Sequence, residues 1–234
     1  MSKKDALREI YRKVIHALGI LWLLPLIFLG ESLSLKVFAV SIIIALFLHW
    51  YWDRRNLREK YLKQMVAGLP VQQKRDFLKG TNQIKKFEEE VLFGFLKDVT
   101  RRKEKEPLLA TFYYLLSTFL ALVLLGVPFA IFGLFAISIG DAAATLVGKY
   151  VGRHKLLWNK EKSIEGWIGF FAATALSLFI FLQFMPQFAI FNPLWLAIAV
   201  GITGATIETI PIVNDNTIIP LGTGLVLWLL SLLL

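Results

Sequence analysis

The chain has no cysteine, which excludes disulfides and thiolate metal sites within it. Histidine is nearly as scarce, and three residues at 16, 49 and 154 do not make a histidine-rich metal centre. Acidic residues are in the minority, 17 Asp and Glu against 26 Lys and Arg, for a formal net charge of +9. No internal repeat is visible. In a soluble protein this basic excess would suggest nucleic acid, but 56% of the 234 residues are hydrophobic and the mean hydropathy is +0.62. Uninterrupted apolar runs joined by basic loops read as membrane spans, with the positive charge orienting them against anionic headgroups and no nucleic acid as partner.

Apolar runs fall near 14–30, 35–52, 108–125, 127–147, 164–184, 194–212 and 217–234. The first follows Lys3, Lys4, Arg8, Arg12 and Lys13 as a signal peptide would, but lacks a small-x-small cleavage site and reads as a retained span. With the N-terminus inside, every Lys and Arg except Lys36 lies on the inner side, as does every acid outside the spans except Glu31. The expected fold is all-α: a polytopic transmembrane bundle of about seven spans, N-terminus inside, forming one membrane-embedded domain over 1–234. Segment 53–106 places Phe87, Val91, Leu92, Phe95, Leu96 and Val99 at helical spacing among charges, which predicts a cytoplasmic amphipathic helical segment.

Two acids interrupt apolar runs, Asp141 and Glu208. An ionisable group in hydrocarbon is costly and ordinarily faces a partner or a cavity. Counted from the outer ends of their spans at 1.5 Å per residue, both lie about 21 Å down. In a core about 30 Å thick they share a level roughly 9 Å beneath the inner surface. Beside them run Gly148-Lys149-Tyr150-Val151-Gly152-Arg153-His154-Lys155 and Lys160-Glu161-Lys162-Ser163-Ile164-Glu165-Gly166. Cations, glycines and a Lys-Ser opening a helix suit phosphate, because free backbone N–H groups and the helix dipole favour an anion. Asp141, Glu208 and Asp215 supply the oxygen ligands that Mg²⁺ takes. Arg12 and His16, one turn apart, enter at the same inner level. Gly140, Ala144, Gly148 and Gly152 recur every fourth residue, and Gly201 and Gly204 precede Glu208, a pattern that close helix packing explains.

The order Gly140-Asp141-Ala142-Ala143-Ala144-Thr145-Leu146-Val147-Gly148-Lys149, Gly152-Arg153-His154-Lys155, Lys162-Ser163-Ile164-Glu165-Gly166 and Asn214-Asp215-Asn216-Thr217-Ile218-Ile219-Pro220-Leu221 resembles the CTP-dependent polyprenol kinases. That family takes in dolichol kinase, phytol kinase and the CTP-type diacylglycerol kinase of yeast. Arg12-Lys13-Val14-Ile15-His16 and Glu106-Pro107 before Thr111-Phe112-Tyr113 also suit it. The resemblance covers most of the chain, most densely 138–224. It departs where the family's late acidic pair is here Asn214-Asp215, which leaves the number of Mg²⁺ ions open.

The resemblance implies transfer of the γ-phosphate of CTP to the hydroxyl of a membrane isoprenoid alcohol, with Mg²⁺ as cofactor, at the cytoplasmic face. Asp141 would ligate the metal with Asp215 and Glu208. Lys149, Arg153, Lys155 and Lys162 would hold phosphates, with Gly148, Ser163, Gly166 and Asn216 contributing contacts. Glu165 or Asp141 would orient the hydroxyl or take its proton, with Lys162 in the catalytic set. Two rivals stand beside this: a CDP-lipid synthase-type cytidylyltransferase, and a small proton- or cation-coupled transporter built on Asp141 and Glu208. The late Asp-Asn-x-x-x-Pro-Leu motif favours the kinase.

Overall fold

A computed structural model describes residues 10–11, 13–70, 72–73, 107–211 and 214–233. Among them every named element is helical, and extended backbone pairs only in an isolated antiparallel bridge between Lys155 and Ser163. The helices are α1 (Lys13–Phe28), α2 (Gly30–Ala67), α3 (Pro107–Leu125), α4 (Val127–Phe135), α5 (Asp141–Tyr150), α6 (Ile164–Phe184), α7 (Pro193–Glu208) and α8 (Asp215–Ser231). Residues Leu18–Trp22 within α1 form a 3₁₀ stretch.

Among the described residues, three helical stretches are long and apolar enough to cross a bilayer: Gly30–Arg54, Val127–Tyr150 and Ile164–Phe184. Lys13–Phe28, Leu109–Leu125 and Pro193–Glu208 are shorter apolar helices. Of the segment expected at 53–106, residues up to Ala67 prolong α2; the amphipathic stretch 87–99 lies outside the described residues, as does Arg12.

The tight hairpin read at 126–128 forms at Gly126, whose φ of 95° needs a residue without a Cβ. Pro128 then sits in the first turn of α4, where its missing N–H costs no hydrogen bond. From Phe129 to Phe135 every residue is buried. A helix that is apolar all round belongs inside a bundle, and Val127–Tyr150 is its central column: 72% of its most apolar window is buried, against 22% for Ile164–Phe184 and 17% for Gly30–Arg54.

The column is not one regular helix. Between α4 and α5, Ala136–Gly140 form a π-helical turn that ends at Asp141. Such turns loosen the backbone ladder and often lie at functional positions. Ser138 within it meets the Tyr114 hydroxyl of α3 at 3.0 Å, and that hydroxyl donates to the Gly19 carbonyl at 2.9 Å. The contact ties α1, α3 and the π turn together one turn below Asp141.

Glycine brings the neighbouring helices onto this column. Gly140 of the π turn and Gly204 of α7 both face the Phe170 ring of α6, and a Cβ on either would strike it. Gly133 lies against the backbone of Pro220 in α8, so α4 and α8 touch main chain to main chain. Pro220 sits inside α8, where a proline breaks the hydrogen-bond ladder. Ser117 of α3 bridges part of the disturbance: its hydroxyl donates to the Thr217 carbonyl at 2.5 Å and accepts from the Leu221 N–H at 3.2 Å. A buried backbone group left without its helical partner needs such a substitute, because an unpaired polar group in an apolar interior is costly.

Candidate active site

The site lies along α5, where α6 and α8 begin and α7 ends. Asp141, Glu208 and Asp215, spread over the last hundred residues, each offer a carboxylate oxygen within 4.8 Å of the other two. Asp141 and Glu208 are buried and Asp215 is partly exposed. The shared depth read from span counting is thus matched by direct proximity. Oxygen donors alone, on rigid helix ends, are a set that suits a hard divalent cation.

Two lysines balance this negative charge. Lys13 of α1 donates to Asp141 Oδ2 at 2.5 Å, and both side chains are buried. His16, one turn further along α1, places Nε2 at 3.3 Å from the same oxygen and sets its ring edge-on to Tyr114. Lys162 donates to Glu208 and, at 3.0 Å, to Asp215 Oδ2. Burial alone would lower the Lys162 pKa, but the charges and hydrogen bonds of Glu208 and Asp215 outweigh it and raise the pKa above the usual lysine value.

Above the acids opens a cavity of about 410 Å³. Its cationic lining is Lys149, Lys155 and Lys162, and its wall includes Gly148, Gly152, Ser163, Gly166 and Glu208. The glycines bring backbone to backbone: a Cβ on Gly166 would meet the Ala144 carbonyl at 3.2 Å, and one on Gly152 would enter the Gly148 carbonyl. Ser163 is the N-cap of α6, in extended conformation, its hydroxyl accepting from the Gly166 N–H at 3.1 Å. The Lys-Ser segment therefore opens a helix as expected, and that helix starts at the cavity wall.

The connection between α5 and α6 is a small hairpin. Ile164 N–H donates to the His154 carbonyl and Leu156 N–H to the Lys162 carbonyl, so 154–156 run beside 162–164. Glu165 accepts from the His154 N–H and contacts His154 Nδ1 at 2.6 Å. It therefore braces the hairpin, and it is not among the residues that line the cavity or form the carboxylate cluster. Arg153 is exposed and also outside the lining. Lys155 reaches the Glu161 carbonyl at 3.4 Å. Asn216 donates its backbone N–H to the Asn214 side chain that caps α8, which leaves Asp215 in the first turn, beside the cluster.

Sequence reasoning assigned no role to Lys13, although it precedes His16 by three residues and so shares its helical face. It also passed over Thr145, Glu161 and Trp167 of the cavity wall, whose residue types carry no signal by themselves.

No protein-family model matches the chain, and no solved structure matches it. Curated proteins do. A probable chloroplastic phytol kinase of Triticum aestivum is 32% identical over 148 residues, 58% of this chain and 49% of the relative. A chloroplastic farnesol kinase of Arabidopsis thaliana is 29% identical over 147 residues, 58% of this chain and 48% of the relative. A phytol kinase of Synechocystis sp. is 35% identical over 107 residues, 44% of this chain and 46% of the relative. The chain spans about half the length of the curated relatives it matches. By sequence, the chain is similar to phytol and farnesol kinases over about half of its length.

Proposed function

We propose that the protein is a multi-pass membrane kinase that moves the γ-phosphate of CTP onto the hydroxyl of an isoprenoid alcohol, at its cytoplasmic face. The observation that carries this reading is the convergence of Asp141, Glu208 and Asp215 beneath a cavity edged by three lysines and a capped helix N-terminus. The names of the relatives supply the acceptor class, phytol and farnesol being isoprenoid alcohols. The donor, the metal and the arrangement of about seven spans with the N-terminus inside are parts of the same proposal.

Phosphoryl transfer asks a protein for alignment and charge neutralisation more than for covalent chemistry. Asp141, Glu208 and Asp215 would hold Mg²⁺, which would supply positive charge against the phosphates there. Lys162, which lines the cavity as well as bonding two of these acids, then has phosphate oxygens within its reach. Lys149 and Lys155 add positive charge along the wall, and the α6 N-terminus adds its dipole. The alcohol's oxygen bonds to the γ-phosphorus, the bond from that phosphorus to the β-phosphate oxygen breaks, and CDP leaves. The hydroxyl proton passes to the carboxylate cluster. Asp141 is the member carried by the central column, where an alcohol arriving from hydrocarbon would meet a nucleotide arriving from water. Glu165, held by His154, supports the hairpin rather than the acceptor.

The test is purified full-length protein in bilayers with CTP or ATP labelled in the γ-phosphate, Mg²⁺, and phytol, farnesol, geranylgeraniol and dolichol. Labelled lipid monophosphate with release of CDP is the expected product. Pyrophosphate release with a CDP-lipid would replace the kinase by the cytidylyltransferase reading.

A further inference from the structure

The hairpin between α5 and α6 has a second face, away from the cavity, that the proposed reaction does not use. Leu157 at its tip is 93% exposed and Trp158 60% exposed, and Tyr150 and Val151 at its base are exposed as well. Around these four apolar or aromatic side chains stand the exposed cations Arg153 and Lys160, neither of which lines the cavity.

This exposure is not slack in the loop. The alternate residues Leu156 and Asn159 are buried. Asn159 accepts from the Glu161 N–H through its side chain and from the Lys162 N–H through its carbonyl, each at 3.1 Å. Trp158 donates its indole N–H to Thr209 Oγ1, and Asn159 donates its side-chain amide to the Thr209 carbonyl, both at 3.1 Å. The tip is therefore pinned against Thr209, the residue that follows the last turn of α7.

That anchor sets the tip's depth. If α7 crosses the bilayer, its inner end lies where hydrocarbon gives way to headgroups, and a loop fastened there lies in the headgroup layer rather than out in water. Tryptophan and tyrosine with neighbouring Lys and Arg are the side chains that favour this layer, aromatic bodies among the glycerol groups and cations on phosphates.

We infer that the 150–160 hairpin is an interfacial anchor that seats Leu157 and Trp158 in the headgroup layer of an anionic lipid surface, with Arg153 and Lys160 on its phosphates. The inference rests on the membrane-spanning part of the proposed function and not on its chemistry. Because Lys155, Glu161, Lys162 and Ser163 of the same hairpin line the cavity, the anchored face and the nucleotide wall are two sides of one small structure.

The absence of cysteine makes the test direct, since Leu157→Cys carries a single thiol. The full chain, labelled there with a polarity-sensitive fluorophore, is reconstituted into vesicles of phosphatidylcholine alone or with phosphatidylglycerol. Emission shifted to the blue of the free label, stronger quenching by headgroup spin-labelled lipid than by iodide, and a larger shift in anionic vesicles are expected. Lys160→Gln reduces the difference between the two lipid compositions, and Val151→Cys gives a second, shallower reading. A label at 157 that iodide quenches as freely as in buffer overturns the anchor. So does one shielded from both quenchers, which would mean that protein covers the tip, either another part of this chain or a second copy. If the protein is stripped from vesicles by alkaline carbonate, the spanning reading fails as well. A chain that stays in the vesicles with a water-exposed label fails the anchor alone.

Discussion

Asp141 is held by Lys13, and the pair is buried on both sides. Removing one partner of such a pair leaves the other charged and unmatched, at a cost of about 3–5 kcal/mol. Lys13→Met should therefore lower thermal stability in detergent sharply, and Lys13→Met with Asp141→Asn should recover much of it, because both charges are then gone. Activity should not follow stability: we expect Asp141→Asn alone to reduce lipid-alcohol phosphorylation by at least about a hundredfold, a loss of the order found when an electrostatic stabiliser is removed from an active site. A double variant that is both stable and fully active would remove Asp141 from the mechanism. Lys162 makes a prediction about pH. Its pKa is raised in the folded protein. The stability it contributes is thus complete below the ordinary lysine value of 10.5 and is lost as pH climbs through the higher folded value. Melting in an alkaline series should fall more steeply for the wild type than for Lys162→Met, and parallel curves would deny the ion pair a role in stability.

At the scale of elements, the site depends on helix ends meeting, and single small residues set those meetings. Ser163 caps α6 at the cavity wall, and Ser163→Ala should cost about 1 kcal/mol of stability. The same change should weaken nucleotide binding, seen as a smaller nucleotide-induced rise in melting temperature, if the α6 N-terminus faces phosphate. Ser117 stands in for a backbone contact beside Pro220, so Ser117→Ala leaves the Thr217 carbonyl and Leu221 N–H short of a partner. A loss of about 1–3 kcal/mol is expected, measurable by thermal unfolding, with Ser117→Thr much milder because it keeps the hydroxyl. The apolar pattern of the sequence located α3, α6, α7, α8 and the single run that holds α4 and α5 to within a few residues. It could not locate the π turn over Ala136–Gly140, since one extra residue in a turn leaves an apolar run looking unbroken.

For the whole molecule, the central column makes the site possible. Val127–Tyr150 is surrounded by the other helices, so the acid it carries is screened from lipid by α1 on one side and by α6 and α7 on the other. α1 supplies Lys13 and His16 to that acid, and it is short and partly 3₁₀, so the N-terminal helix is integral to the site rather than a mere anchor. Deleting residues 1–28 should abolish activity and lower the melting temperature even where the remaining chain still inserts, as membrane extraction with activity assay would show. In cysteine scanning of vesicle-embedded protein, thiols at 3 and 160 should be labelled from the cytoplasmic side and one at 31 from the other. Labelling of 3 and 160 from opposite sides would refute the N-inside arrangement.

Apolar runs of spanning length and two acids interrupting those runs were legible in the sequence, because hydropathy and charge are properties of residues in order. So was the Lys-Ser start of α6, since capping chemistry is local. What only the tertiary structure decided is which groups meet. Lys13 lies 128 positions from Asp141, Lys162 46 from Glu208 and 53 from Asp215, and no local pattern encodes contacts across such distances. They are set by which helix becomes the central column, by glycines that admit Phe170 and Pro220 against it, and by the turn that aims Asp141. The basic loop likewise read as topology and phosphate binding. Only its fastening to Thr209 revealed that it has two faces.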